Sequence, residues 1–202
     1  KRDFVIKNPA GEHAICAGLK EEMSVTIKGH VGYYCGGMNQ KANICIEGNA
    51  GTGLGENMMS GIIHVKGNTS QSAGATAHGG TIIIDGDASS RCGISMKGVD
   101  IIVKGSVGHM SAFMAQAGTL MICGDAGDAL GDSIYETVIY MAGKPKTLGV
   151  DCIEKKITKK DLKKIENLIK TGNVKKLKPH NFKKFGSARK LYNFNIDNVS
   201  EY

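Results

Sequence analysis

Glycine recurs at one fixed interval along most of this chain, and no other sequence feature restricts the possible folds as strongly. Each of these glycines follows the previous one by 19 residues, without an insertion or a deletion. A strict period of about 20 residues indicates a repeat protein in which each repeat forms one coil that stacks on the next. We interpret the seven positions as structural corners of the coils: Gly29, Gly48, Gly67, Gly86, Gly105, Gly124 and Gly143.

The residues around each corner glycine predict β-strands. Apolar residues stand four and two positions before it, as Ile44 and Ile46 do before Gly48. Alternation with a period of two, together with β-branched residues, favours strands over helices. A second glycine follows seven positions after most corner glycines. We expect a glycine at each corner because it permits a positive φ and a close approach of neighbouring backbones. The repeats therefore predict an all-β fold, a single-stranded parallel β-helix of about seven 19-residue coils.

Stacking would place each residue about 4.8 Å from the residue 19 positions later, so neighbouring coils should carry compatible side chains. The position before the corner glycine alternates in charge: Lys28, Glu47, Lys66, Asp85 and Lys104. The position after it carries turn-forming polar residues: Asn49, Asn68, Asp87, Ser106 and Asp125. Both patterns are those that a stacked coil requires.

The repeat ends after the seventh coil, and the charge changes there. Residues 1–152 carry 12 basic and 14 acidic side chains, whereas residues 153–202 carry 14 basic and 5 acidic ones. We divide the chain accordingly into a parallel β-helix domain and a C-terminal part made of a helix and a basic extended tail. Thr158 and Asp161 resemble a capping box, and apolar residues follow at helical spacing, which predicts a helix over 159–171.

The strand position three residues before each corner glycine should point away from the core, yet it is apolar in four successive coils. An exposed apolar stripe of this length marks a surface that another element covers. We expect the predicted helix to cover part of it, and a partner subunit is the alternative. The stripe consists of Ile83, Ile102, Met121 and Tyr140.

We expect partner contacts where the chain departs from its own repeat. The fifth coil has Ala112 where most coils have the second glycine, and the basic tail has no repeat at all. The candidate contact residues come from the fourth coil, the fifth coil and the tail. They are Arg91, His109, Phe113, Arg189, Lys190 and Tyr192.

The chain shows no motif from which we would assign a catalytic, cofactor-binding or metal-binding residue. The run GTGLG at 51–55 looks like a nucleotide loop, but it lacks the helix and the acidic residue of a dinucleotide site. His64, His78 and His109 fall in different phases of the repeat. The six cysteines form no CxxC pair, and we expect free thiols in a reducing cytoplasm.

The predictions of cellular location and of nucleic-acid binding rest on weaker sequence signals. We find no apolar stretch of about 18 residues and no signal-peptide pattern, so we expect no membrane span and a cytoplasmic protein. The chain begins with Lys1, which leaves the natural amino terminus open. A basic tail with interleaved aromatic residues can bind nucleic acid, but no recognition motif accompanies it, and we expect an acidic protein partner instead.

Four runs of sequence resemble a known module, the carboxy-terminal GXGXG module of the glutamate synthase large subunit. More closely, the chain resembles free-standing versions of that module, which are separate subunits of archaeal-type glutamate synthases and of methylamine–glutamate N-methyltransferase, or N-methylglutamate synthase. The resemblance spans nearly the whole chain and implies a right-handed β-helix. The runs are GDASSRCGISMKG at 86–98, GSVGHMSAFMAQAG at 105–118, GDAGDALGDSIYE at 124–136 and GSARKLYNF at 186–194.

The resemblance implies a non-catalytic structural subunit within a hetero-oligomeric flavoenzyme complex. In that family, a glutaminase-like amidotransferase subunit and a synthase subunit with FMN and an iron–sulfur cluster carry the chemistry, and the β-helix braces them. We therefore expect no cofactor in this chain and both cofactors in a partner subunit. Two alternatives stay open: the β-helix subunit of a formylmethanofuran dehydrogenase-like complex, and an independent β-helix carbohydrate-active enzyme.

Overall fold

The protein, seen in a computed structural model that describes residues 2–190, is built on one ten-stranded sheet. Strands β1 to β8 are parallel, and each pairs with the next. They form a parallel β-solenoid of about seven turns, which confirms the predicted fold class. The parallel strands are β1 (Arg2–Lys7), β2 (Met23–Lys28), β3 (Asn43–Ile46), β4 (Ile62–Val65), β5 (Thr81–Ile84), β6 (Lys97–Val103), β7 (Ala117–Ile122) and β8 (Val138–Met141).

The 19-residue period is visible in the strand register. Ile44 pairs with Ile63, which in turn pairs with Ile82. A second ladder of isolated parallel bridges joins the positions two residues after the corner glycines, from Val31 to Pro145. These two ladders lie on different sides of each coil, so the residues between them enclose the core.

The core is a continuous apolar column along the solenoid. The strand residue two positions before each corner glycine is fully buried in successive coils: Ile27, Ile46, Val65, Ile84, Val103, Ile122 and Met141. At the C-terminal end, Cys152 and Phe185 join the same column and close it. The coil cross-section is filled by aliphatic side chains, in accordance with the low aromatic content of the chain.

Helix α1 (Lys159–Gly172) begins at the N-cap Thr158 and forms the predicted capping box with Asp161. Its inner face packs on the apolar stripe of the sheet through Ile165 and Leu168. The stripe is thereby almost fully buried, which confirms that the chain's own helix covers it.

The segment after the helix returns to the sheet, which the sequence did not lead us to expect. A short 3₁₀ helix (Pro179–Asn181) precedes strand β10 (Lys183–Ser187). Strand β10 runs antiparallel between β8 and β9 (Cys152–Lys155). Part of the predicted extended tail is therefore the strand that caps the solenoid, with Phe185 directed into the core.

Candidate partner-contact surfaces

The polar positions after the corner glycines form a hydrogen-bonded ladder along one edge of the solenoid. Each side chain accepts a hydrogen bond from the backbone N–H of the equivalent residue in the next coil. Asn68 donates to Oδ1 of Asn49 at 2.8 Å, and Ser106 donates to Oδ1 of Asp87 at 2.7 Å. His30 begins this ladder and Lys144 ends it. These side chains each use one oxygen or nitrogen acceptor to join neighbouring coils, so their recurrence has a structural explanation.

The corner glycines themselves serve close packing rather than unusual backbone angles. Of the seven, all within the described residues, only Gly29 has a positive φ, at 138°. A Cβ atom added at Gly124 would lie 2.8 Å from the backbone oxygen of Gly105, closer than real Cβ atoms come to such an atom. Our expectation of close approach is therefore confirmed, whereas a positive φ is found only in the first corner.

The first six coils each turn through three left-handed residues, at five, seven and nine positions after the corner glycine. In the fourth coil these are Arg91, Gly93 and Ser95, with φ between 51° and 70°. Only the middle residue points into the core: a Cβ atom at Gly74 would lie 2.5 Å from Cδ1 of Ile101. The outer two positions accept ordinary side chains because they face solvent, so glycine recurs only at the middle position.

The fifth coil departs from this pattern but keeps its backbone. Ala112 takes the middle position with φ of 58°, and it is completely buried. A left-handed alanine is strained relative to glycine, so this coil accepts a conformational cost at the middle position, where the five other coils with this turn have glycine. The sequence indicated that this coil is unusual, and the structure shows that its altered residue points inward, away from any partner.

We call the surface built by residues four to nine positions after each corner glycine the turn face. Three of the candidate contact residues lie there on adjacent coils: Arg91 and His109 are exposed and Phe113 is half-buried. The backbone N–H of Arg91 donates to the carbonyl of His109 at 2.9 Å. Their side chains therefore lie on neighbouring turns of one surface.

An aromatic cluster that we did not predict joins two tyrosines on the turn face of the first coil to His13, which precedes that coil in the chain. The rings of His13 and Tyr33 stack with centroids 4.5 Å apart, and Tyr34 meets Tyr33 edge-on at 6.4 Å. Both tyrosines are half-exposed, as is Met38. Two adjacent tyrosines in the sequence could have indicated this cluster. They stand in a coil that follows the regular glycine period, so the repeat pattern did not single them out.

The other candidate contacts lie at the C-terminal end. Arg189 is exposed, and its guanidinium donates to Oε2 of Glu136 at 2.6 Å. Lys190 is exposed, and its backbone N–H donates to Asp151. Tyr192 lies outside the described residues. Asp151 stands eight positions after Gly143, so Lys190 contacts the turn face of the seventh coil, two coils beyond Phe113.

A buried charge network attaches helix α1 to the sheet. Asp161 accepts hydrogen bonds from the Tyr140 hydroxyl at 2.6 Å and from Nζ of Lys184 at 2.9 Å. Burial favours the neutral carboxyl, but hydrogen bonds from Thr158, Tyr140 and Lys184 outweigh it and hold the pKa of Asp161 well below its usual range. Burial and the carboxylate raise the pKa of Tyr140, so it stays a donor.

The cysteines are free, and burial makes their thiols poor nucleophiles. Burial raises the pKa of Cys35, Cys92 and Cys152 to about 12, far from the range in which a thiolate is available. Within residues 2–190, no group of three or more His, Cys, Asp or Glu side chains is arranged to hold a metal ion. In the same part of the chain, no helix has the length and apolar character needed to cross a membrane.

Comparison with known proteins agrees with this geometry. The profile of the GXGXG motif family matches residues 10–196. The chain belongs to the GXGXG family. It is also similar to Protein GlxC of Rhizobium meliloti (strain 1021), with 56% identity over 199 residues, which cover 98% of this chain and 87% of that protein. The resemblance to the glutamate synthase module is thereby confirmed at the level of the family.

One run of this GXGXG protein spells the family motif, with Gly51, Gly53 and Gly55. Gly53 and Gly55 are the outer and middle left-handed residues of their turn, with φ of 75° and 64°. At Gly51, a Cβ atom would come within 2.7 Å of the backbone of Gly32 in the preceding coil. Each glycine thus has a packing role, and the motif is a corner of the solenoid rather than a nucleotide loop.

Proposed function

We propose that this chain is a non-catalytic structural subunit of a glutamate synthase-type flavoenzyme complex. In this proposal, it braces a glutaminase-like amidotransferase subunit and a synthase subunit that binds FMN and an iron–sulfur cluster. The complex would be a glutamate synthase or an N-methylglutamate synthase, located in the cytoplasm. The observation that carries the proposal is the match to the GXGXG family over residues 10–196, supported by the 56% identity to Protein GlxC.

The chemistry of the described side chains supports a bracing role. The polar corner residues bond to the next coil, Asp161 is bonded on three sides, and the buried thiols have raised pKa values. The surface depressions on residues 2–190 are open to solvent, as is the one between Glu22, Lys41 and Ser60. A site for acid–base or nucleophilic chemistry needs convergent groups with suitable pKa values, whereas Asp161 and the buried thiols have structural surroundings.

The candidate contact residues suggest where this chain could meet a partner. Arg91, His109 and Phe113 lie on the turn face of the fourth and fifth coils, and Lys190 is bonded to Asp151 on the turn face of the seventh coil. A rigid solenoid holds these residues at constant distances from one another. Under this proposal, the cofactors belong to the synthase partner, and this chain contributes position rather than chemistry.

Co-purification from cells that contain the neighbouring genes tests the proposal. A tagged full-length chain should recover a partner with flavin absorbance and a second partner with glutaminase activity. Recovery of this chain alone, without flavin, would contradict the proposal. Glycan cleavage by the isolated chain would instead support an independent enzyme.

A pair of variants sharpens this test. Arg91→Glu combined with His109→Ala should reduce partner recovery, because it reverses one exposed charge and removes one exposed ring on the turn face. Lys28→Glu is the matched control, since it reverses an exposed charge on a strand of the sheet. Equal recovery with both variants would remove the turn face from the proposed interface without removing the proposed function.

A further inference from the structure

Helix α1 and the segments beside it carry a large excess of positive charge. Residues 155–184 contain 12 basic and 2 acidic side chains. Within residues 2–190, the salt bridges of this part of the chain involve Lys164, Lys183 and Lys184. Most of the other lysines are exposed and have no salt-bridge partner among the described residues. They are Lys156, Lys159, Lys160, Lys163, Lys170, Lys175, Lys176 and Lys178.

The stability of α1 does not account for these lysines. Lys159 and Lys163 stand four residues apart on the helix, and Lys160 and Lys163 stand three apart. Side chains at both spacings are neighbours on a helix surface, and like charges there repel each other. Glu166, three residues after Lys163, offsets part of this repulsion. An anionic partner would reduce the rest, so the surface is suited to an anion that another molecule supplies.

A groove between α1 and the 3₁₀ helix that follows it combines positive charge with apolar surface. Leu162 stands between Lys159 and Lys163 in the sequence, and it is one of the exposed large apolar residues of the chain. Pro179 adds apolar surface from the 3₁₀ helix. We call this groove the lysine groove, and it is lined by Lys159, Leu162, Lys163, Glu166, Pro179 and His180.

The chemistry of this surface favours a polypeptide over a nucleic acid or a membrane. Phe182 is the only Phe, Tyr or Trp in residues 155–184, and it is buried. The surface therefore lacks the exposed aromatic rings on which single-stranded bases stack. The apolar side of α1 is also in use, because Ile165 and Leu168 pack on the sheet. A helix that lies in a membrane surface needs that side for the lipid.

We propose that the lysine groove binds an acidic segment of a partner polypeptide, with one apolar side chain of that segment on Leu162. Opposite charge attracts the segment, and the apolar contact fixes its position along the groove. The inference rests on the proposed function in one respect only, which is that it assigns the segment to another subunit of the complex. Binding of a peptide to this chain can be measured without that complex.

Fluorescence anisotropy of a labelled peptide with the full chain, at physiological salt, tests the inference. The probe is a short peptide of glutamate and aspartate with one central leucine. Lys159→Glu combined with Lys163→Glu should weaken its binding by about tenfold. Glu166→Gln should strengthen the binding by roughly twofold, because it removes a like charge from the groove.

The matched control is Lys28→Glu combined with Lys41→Glu, the same charge change on two exposed lysines of the first coil. This variant should bind the peptide like the wild type, because salt screens distant charges. Unchanged melting temperatures would show that each variant folds. A peptide that does not bind the wild-type chain, or that binds both double variants equally, would overturn the inference and leave the co-purification test of the complex unaffected.

The apolar contact is tested by a second peptide, in which serine replaces the leucine. It should bind the wild-type chain more weakly than the first peptide does, and Leu162→Ala should remove the difference between the two. A difference that persists in Leu162→Ala would overturn the assigned contact. Single-stranded RNA of equal charge that binds more tightly than the leucine peptide, and that the Lys159→Glu, Lys163→Glu variant no longer binds, would assign the groove to nucleic acid instead.

Discussion

The outer face of the main sheet has two halves that share one register but differ in what covers them. Along the same row of positions, the first half carries Thr26, Cys45 and His64, which are half-buried. The second half carries the apolar stripe, which helix α1 buries. Identical backbone geometry therefore supports both an open and a covered surface, and the side chain at one position per coil decides which.

Two charge networks of the sheet differ in how far they are exposed to water. At the boundary between the two halves, Asp85 of the coil that carries Ile83 accepts from Nε2 of His64 and pairs with Lys104, both at 2.8 Å, with a quarter of its side chain exposed. On the covered half, the Asp161 side chain is only 8% exposed and pairs with Lys184. Water screens the first network far more than the second. We therefore expect the loss of the carboxylate to lower the free energy of unfolding more at Asp161 than at Asp85.

Removing the buried carboxylate should have the largest effect. Asp161→Ala leaves Lys184 without its partner and Tyr140 without its acceptor, and breaking a buried ion pair costs about 3–5 kcal/mol. The free energy of unfolding, measured by denaturant titration, should fall by that amount. Retention of wild-type stability would show that the network contributes nothing to the attachment of α1.

The same carboxylate should make stability depend on pH in the acid range. The pKa of Asp161 is depressed in the folded state, so its contribution is fully present above the unfolded pKa of about 3.9 and is lost as the pH falls toward the folded pKa. The stability difference between wild type and Asp161→Asn should therefore shrink below about pH 4. A difference that stays constant down to strong acid would contradict the assigned pKa shift.

Shortening the stripe should have the next largest effect. Ile102 is fully buried under α1, and its Cγ2 atom is close to Gly172 at the helix end. Ile102→Ala should lower the free energy of unfolding by about 2–5 kcal/mol, the usual cost of such a cavity. Thr26→Ala, at the same register position on the open half, is the matched control and should cost far less. Similar losses in both variants would mean that the helix does not pack as described.

The difference between the two halves could be predicted from the sequence for some elements and not for others. The helix and the stripe were predictable because their patterns are local: a capping box followed by helical spacing, and a row of apolar residues at an outward strand position. The left-handed residues at five and nine positions after the corner were not, since their side chains face solvent and leave no compositional trace. Tyr34 and Arg91 occupy equivalent backbone positions, although they share no chemical property.

Both ends of the solenoid escaped prediction for different physical reasons. Strand β1 pairs with β2 at a spacing of 21 residues, as Arg2 with Met23, so a 19-residue period does not reach it. Strand β10 contains two lysines and a glycine in five residues, and it is stabilised by two neighbouring strands rather than by its own pattern. The exposure of the candidate contact residues likewise depends on the turn geometry, which the sequence does not display.

Removing the helix cap should have a smaller effect on the covered half. The Thr158 hydroxyl accepts from the Asp161 N–H at 3.2 Å and donates to its carboxylate at 2.7 Å. Thr158→Ala should destabilise the protein by about 1 kcal/mol, the typical value of an N-cap. Thr158→Ser keeps the hydroxyl and should remain close to wild type. A loss of equal size in the serine variant would assign the effect to the methyl group instead of the cap.

The smallest effect is expected from the partly exposed charge network at the boundary between the two halves. Partial burial disfavours the charge on Asp85, but hydrogen bonds from Lys104 and His64 outweigh it and lower its pKa. Because the network is in contact with water, Asp85→Asn should cost less than about 1 kcal/mol, and the cost should decrease further as salt is added. Asp161→Asn, measured under the same conditions, should keep most of its larger cost at high salt. If the two variants instead showed the same cost and the same salt dependence, the contrast between an exposed and a buried charge network would not hold, because screening by water is what separates them.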